Sequence, residues 1–152
     1  MNNKIYVIDA CALIDASKHY PLDMDAFKNV WEKISELFEN GMLISSSEIY
    51  DELKDKDLQK WISKHKKCFV SLNENIQDQV KQVLKQFPNM INLNKNKKSS
   101  SNGDPFLVAT AIVCKGIVVT NEGKGSNQIP AVSNYFNIKT INLDQFIREI
   151  MK

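Results

Sequence analysis

Three apolar runs in this chain are too short for buried helices and too continuous for one-sided strands. Ile5-Tyr6-Val7-Ile8, Met42-Leu43-Ile44 and Ile117-Val118-Val119-Thr120 are short and rich in β-branched residues, the pattern of strands covered on both faces. Helical patterns lie between them. One runs from about Cys11 to Tyr20 and stops at Pro21; another carries Phe27, Val30, Trp31, Ile34, Leu37 and Phe38 at helical spacing, with Gly41 just past its end. A serine-led helix follows the second strand at Ser45, running on or restarting through Leu58, Trp61 and Ile62. Helices are expected from about Glu74 to Phe87, from Asp104-Pro105 through Cys114 with Gly116 closing it, and around Ala131 to Phe136. Lys139 to Leu143 reads as a last strand, with Asp144 capping a terminal helix through Ile150. Apolar strands separated by helices predict a three-layer α/β/α sandwich around a central, mostly parallel sheet.

A length of 152 residues at 43% hydrophobic content fits one domain spanning residues 1–152. The net charge of +2 gives no overall field for nucleic acid, so any basic footprint must be local. Cys11, Cys68 and Cys114 are odd in number and set in apolar runs, so they read as reduced, buried thiols. No apolar run is long enough for a membrane helix, and a strand-like segment follows Lys4 at once, which does not suit a signal peptide. The expectation is a cytoplasmic protein without membrane contact.

In parallel sheets of this kind ligands bind beyond the carboxyl ends of the strands, and acidic residues gather there. Asp9 follows the first strand, Glu48 and Glu52 follow the second, Asp104 opens the helix leading to the third apolar run, and Glu122 stands just past it. Carboxylates packed at one sheet edge repel unless cations neutralise them, and hard oxygen ligands suit Mg²⁺ or Mn²⁺. Each residue also has a plainer role. Asp9 and Asp104 are placed as helix caps, Asp104 with proline beside it. Glu48 completes a capping box with Ser45. Glu122 suits an exposed loop. Glu52 is the exception, because one helical turn beyond Glu48 it meets a like charge that capping does not explain.

Tyr6-Val7-Ile8-Asp9-Ala10-Cys11-Ala12-Leu13-Ile14 resembles the opening motif of PIN domains, a strand ending in aspartate followed by two small residues and an aliphatic pair. Ile44-Ser45-Ser46-Ser47-Glu48-Ile49-Tyr50-Asp51-Glu52-Leu53 is similar to their second motif. Asp104-Pro105-Phe106-Leu107-Val108-Ala109-Thr110-Ala111 resembles the third, and Val118-Val119-Thr120-Asn121-Glu122 the fourth. The stretch from Ile129-Pro130-Ala131-Val132 to Ile138-Lys139-Thr140-Ile141-Asn142 looks like an uncharacterised prokaryotic PIN-like branch.

The resemblance implies a metal-dependent endoribonuclease in which Asp9, Glu52, Asp104 and Glu122 bind Mg²⁺ or Mn²⁺, with Glu48 competing for the place of Glu52. Thr120 and Cys11 would support them. It further implies an RNA substrate, the toxin role of a type II toxin–antitoxin pair, a small antitoxin as partner, and a homodimer. Ala10 and Cys11 stand where many PIN domains carry threonine and serine, and Glu122 replaces the commoner aspartate; both departures bear on cleavage more than on metal binding.

Other readings remain open at this point. A PIN-like fold without catalysis would serve as a nucleic-acid or protein binding module. A receiver-type phosphoacceptor domain also gathers carboxylates at strand ends, but needs a lysine that has no clear position here. A haloacid-dehalogenase-type phosphatase is disfavoured, since Asp9-Ala10-Cys11 lacks a second aspartate. His19 and His65 share no zinc-ligand spacing. Lysines cluster at Lys60, Lys64, Lys66 and Lys67, and again at Lys95, Lys97 and Lys98 in a polar, aperiodic stretch from Asn92 to Gly103. Either group suits a solvated surface; the second, directly before Asp104, is the candidate for phosphate contact.

Overall fold

The computed structural model describes residues 4–90, 104–123 and 125–152. The stretch Asn92 to Gly103 and its candidate contacts Lys95, Lys97 and Lys98 lie outside the described residues. Five strands form one sheet: β1 (Tyr6–Ile8), β2 (Leu43–Ser46), β3 (Phe69–Val70), β4 (Ile117–Val119) and β5 (Thr140–Ile141). Their order is β3-β2-β1-β4-β5 and every pairing is parallel. The sheet expected to be mostly parallel is parallel throughout.

Eight α-helices connect the strands among the described residues: α1 (Ala10–His19), α2 (Lys28–Glu39), α3 (Ser47–Tyr50), α4 (Lys56–Ile62), α5 (Glu74–Gln86), α6 (Asp104–Cys114), α7 (Ile129–Tyr135) and α8 (Leu143–Ile150). On one face α6 packs across β1, β2 and β4, with α5 and α7 against it; on the other, α2 packs on β2 and meets α8, which also contacts α1. The result is the α/β/α sandwich. The central strand β1 is buried at all three positions, as are the sheet-facing residues of α6, which explains why neither segment shows a polar face in the sequence. No helix of the described residues is long and apolar enough to cross a membrane.

Local chemistry corrects several boundaries. The edge strand β3 was not expected: two residues give no periodicity to read. The helix after β2 lasts one turn, and the chain restarts at α4 with Asp55 capping it through Leu58 N. Ser46, not Ser45, caps α3, so the expected capping box of Ser45 with Glu48 does not form. Ser45 instead donates from Oγ to the carbonyl of Ile8 at 2.6 Å, tying the end of β2 to the end of β1. The terminal helix is capped by Asn142 rather than Asp144, in a reciprocal pair with Gln145.

Two glycines have distinct roles. Gly41 takes φ +72° past α2, as a C-terminal glycine does. After α6 the left-handed residue is Lys115, at φ 56°. Gly116 is required for closeness: a Cβ there would stand 2.8 Å from Val7 Cγ2 and 3.0 Å from the Ile5 carbonyl oxygen.

A candidate metal centre at the carboxyl edge

The register of the sheet sets the site. Asp9 continues the β1 ladder for one more bond, its amide donating to Val119 O at 2.9 Å. The Asp9 side chain then caps α1 through Ala10 N at 2.8 Å. Its other oxygen, Oδ2, accepts from the Cys11 thiol at 2.9 Å and from Thr120 Oγ1 at 3.0 Å. Thr120 in turn accepts the Glu122 amide at 3.1 Å, which fixes the turn leaving β4. Glu122 Oε1 accepts the first amide of α7, from Ile129, at 3.0 Å. Asp104 begins α6, and its Oδ1 is buried with no hydrogen-bond partner.

These connections bring Asp9, Asp104 and Glu122 together, each offering a carboxylate oxygen within 4.8 Å of the other two. Asp9 is 2% and Asp104 7% exposed. Burial raises the Asp9 carboxyl, opposed by the bonds from Cys11, Thr120 and Ala10. Asp104 is pushed up to about 9, by burial first and then by Asp9, by its bond with Glu122, and by the charges of Glu122 and Glu52. Without a cation, a proton at Asp104 relieves the repulsion. The donor set fits a hard divalent ion: carboxylate oxygens converge, one is buried and unsatisfied, and each carboxylate retains accepting capacity.

The two glutamates that follow β2 are not among these three converging carboxylates. Glu52 lies in the turn beyond α3, not one helical turn above Glu48 on a shared face, so repulsion along that helix does not explain it. Its charge is nonetheless among those that raise Asp104, and that of Glu48 is not. Glu48 supplies the amide bonded to the Ser46 cap.

Cys11, read from its apolar run as a buried thiol and from the resemblance as a supporting residue, is half-buried against Asp9. It bridges Asp9, Thr120 at 3.4 Å and the Asn121 amide at 3.4 Å, and burial with the Asp9 charge pushes it up to about 12, so it stays protonated as a donor. Cys68 and Cys114 are also free thiols. His65 is a core residue, stacked on Phe38 at 5.0 Å between ring centroids and bonded to Ser35. Asn121 is a residue that sequence reasoning missed. It donates to Asp15 Oδ2 at 2.7 Å and accepts from Leu143 N at 2.9 Å, joining β4 to α1 and α8. Its place next to Thr120 was the available signal. Beside it opens a cavity of about 610 Å³ lined by His19, Tyr20, Thr120, Asn121, Glu122 and Asn142 among others.

A family model described as a domain of unknown function, DUF4411, matches residues 6–151. Among solved structures, PAE2754 from Pyrobaculum aerophilum aligns with a TM-score of 0.59 and 16% identity, over 97% of this chain and 97% of that one. VapBC2 from Rickettsia felis, solved bound to a DNA fragment from their promoter, aligns with a TM-score of 0.56 and 18% identity, over 91% of this chain and 98% of that one. No curated protein matches the sequence. The likeness establishes a PIN-like fold.

Proposed function

The chain belongs to the DUF4411 family, and we propose that it acts as a metal-dependent endoribonuclease, residues 1–152 forming one PIN-like domain. The observation that carries this reading is Asp104: a nearly buried carboxyl with an unsatisfied oxygen, raised to about 9 amid Asp9 and Glu122. A carboxylate cluster of this kind is costly as an end in itself and suits a cation.

Asp9, Asp104 and Glu122 would hold Mg²⁺ or Mn²⁺, with Glu52, whose charge acts on Asp104, completing the set. A bound ion would stabilise charge developing on a phosphodiester and make a water molecule nucleophilic near neutral pH. The chain's own contribution is orientation. Cys11 and Thr120 fix Oδ2 of Asp9, the Ala10 amide fixes Oδ1, and Ile129 N restrains Glu122 so that its carboxylate can also orient the attacking water. The departure at Cys11 is thereby softened, since the thiol donates as a hydroxyl would.

The biological setting we propose is the toxin of a type II toxin–antitoxin pair in the cytoplasm, with a small antitoxin partner and a homodimeric assembly. VapBC2, with its promoter DNA, is the structural relative that motivates this setting. RNA cleavage with Mn²⁺ or Mg²⁺ tests the mechanism, comparing the wild type with Asp9→Asn and Asp104→Asn. Loss of cleavage in both variants is expected; equal activity in all three would remove the nuclease.

A further inference from the structure

A second cavity, of about 460 Å³, opens past the carboxyl end of β2 and alongside the two-residue β3, on the opposite side of Asp9 from the one beside Asn121. Ser47, Tyr50, Asp51, Lys66, Lys67 and Ser71 line it. Ser47 directly follows β2 and Ser71 directly follows β3, so the cavity shares the sheet edge that carries the acidic trio. Lys66 and Lys67 are exposed, and among the described residues neither forms an ion pair. The Lys66 ammonium stands 5.4 Å from the centre of the Tyr50 ring. That ring is itself held edge-on by Phe69 at 5.2 Å.

The chemistry here is that of a nucleic-acid contact: adjacent exposed cations, a half-buried aromatic ring, and hydroxyls in the lining. Asp51 contributes the opposing charge, leaving the lining with one more cation than anion. The ends of β1 and β3 are two strand spacings apart, roughly 10 Å, a distance that a short stretch of single strand crosses. Resting on the nuclease reading above, we infer that this cavity binds the phosphates of single-stranded RNA, and that the strand runs along the carboxyl edge from Lys66 and Lys67 to the acidic trio. This gives the otherwise near-neutral chain the local basic footprint its net charge withholds.

The test is binding of a fluorescent oligouridylate, about 12 nucleotides long, in EDTA so that no cleavage intervenes. Lys66→Ala/Lys67→Ala should weaken binding about 10-fold and flatten the dependence of log K on log salt by about 1 to 1.5. Lys66→Arg/Lys67→Arg should bind like the wild type. Lys4→Ala/Lys152→Ala, which removes the same charge at the opposite edge of the sheet, should change neither quantity appreciably. If the two alanine pairs behave alike, the inference is overturned. It is also overturned if a polyglutamate peptide loses binding in Lys66→Ala/Lys67→Ala while RNA does not, because the cavity then serves an acidic protein segment. Should the lysine pair govern RNA binding while the wild type never cuts, the nuclease reading fails and the RNA site stands.

Discussion

The acidic edge has two wings built differently. On the β1–β4 wing, Asp9 extends a central strand, Glu122 is tied to a helix start, and Asp104 begins a helix packed across the sheet. On the β2 wing, Glu48 and Glu52 follow a strand through a single helical turn and a bend. In the first wing Asp9 and Asp104 are buried and Glu122 is half-buried, with Asp9 and Glu122 held by hydrogen bonds; in the second both glutamates are half-buried. Sheet register holds carboxylates within bonding distance of one ion without any of them having chosen a favourable solvent environment. A short helix gives no such register, and on the nuclease reading proposed above the first wing would hold the ion and the second would complete its shell.

The most direct way to break that contrast is to neutralise each wing. Asp9→Asn and Asp104→Asn should each lower RNA cleavage by on the order of 10³-fold, since both remove charge from a buried electrostatic clamp. Steady-state cleavage in Mn²⁺ measures this. Residual activity near wild type in either variant would move the ion off the β1–β4 wing. The bonds behind the wing should matter less. Thr120→Val and Cys11→Ala each leave Asp9 in place with one donor fewer at Oδ2, and about 10- to 100-fold losses in activity or metal affinity are expected for such supporting groups. Cys11→Ser, which restores a hydroxyl donor, should retain activity, and its failure to do so would show that sulfur matters beyond donating a hydrogen bond.

The same wing predicts a pH dependence. Asp104 binds its proton more tightly folded than unfolded, because its folded value is about 9 against an ordinary 3.8. Its contribution to stability is therefore present at acidic pH and is lost as pH rises from the unfolded value through the folded one. In EDTA the wild type should melt lower near pH 8.5 than near pH 5.5, by on the order of 5 °C. Mn²⁺ should restore more of that loss at the higher pH, where it competes with fewer protons. Asp104→Asn should flatten the difference. A wild type and variant that track each other across this range would mean that Asp104 is not the group holding the proton.

Much of this was visible in the sequence. The parallel sheet followed from strands without alternation, and Asp9, Asp104 and Glu122 from their positions at strand and helix ends. The β2 wing was harder. Ser45-x-x-Glu48 has the letters of a capping box, but the strand continues one residue further and Ser45 spends its hydroxyl on Ile8. Whether a serine caps or pairs depends on where the strand stops, and neighbouring strands decide that. Glu52 was singled out through a helical neighbour it does not have, because the helix ends at Tyr50. The two-residue β3, the thiol bridge of Cys11 and the cavity at Lys66 depend on contacts across long stretches of chain, which no local pattern records.

The finest division lies within the weaker wing. The Glu52 charge acts on Asp104, and that of Glu48 does not register there. Glu52→Gln should accordingly lower cleavage by about 10-fold, the lower end of the range for groups supporting a metal site. Glu48→Gln should stay within about twofold, since its backbone amide, unaffected by the change, is what meets the Ser46 cap. Cleavage measured against Mn²⁺ concentration separates the two cases. A Glu52 ligand lost to glutamine shifts the metal requirement upward, whereas a purely structural glutamate leaves it unchanged. If Glu48→Gln produces the shift and Glu52→Gln does not, the ion sits nearer the start of α3 than Asp104 implies, and the roles on this wing are reversed.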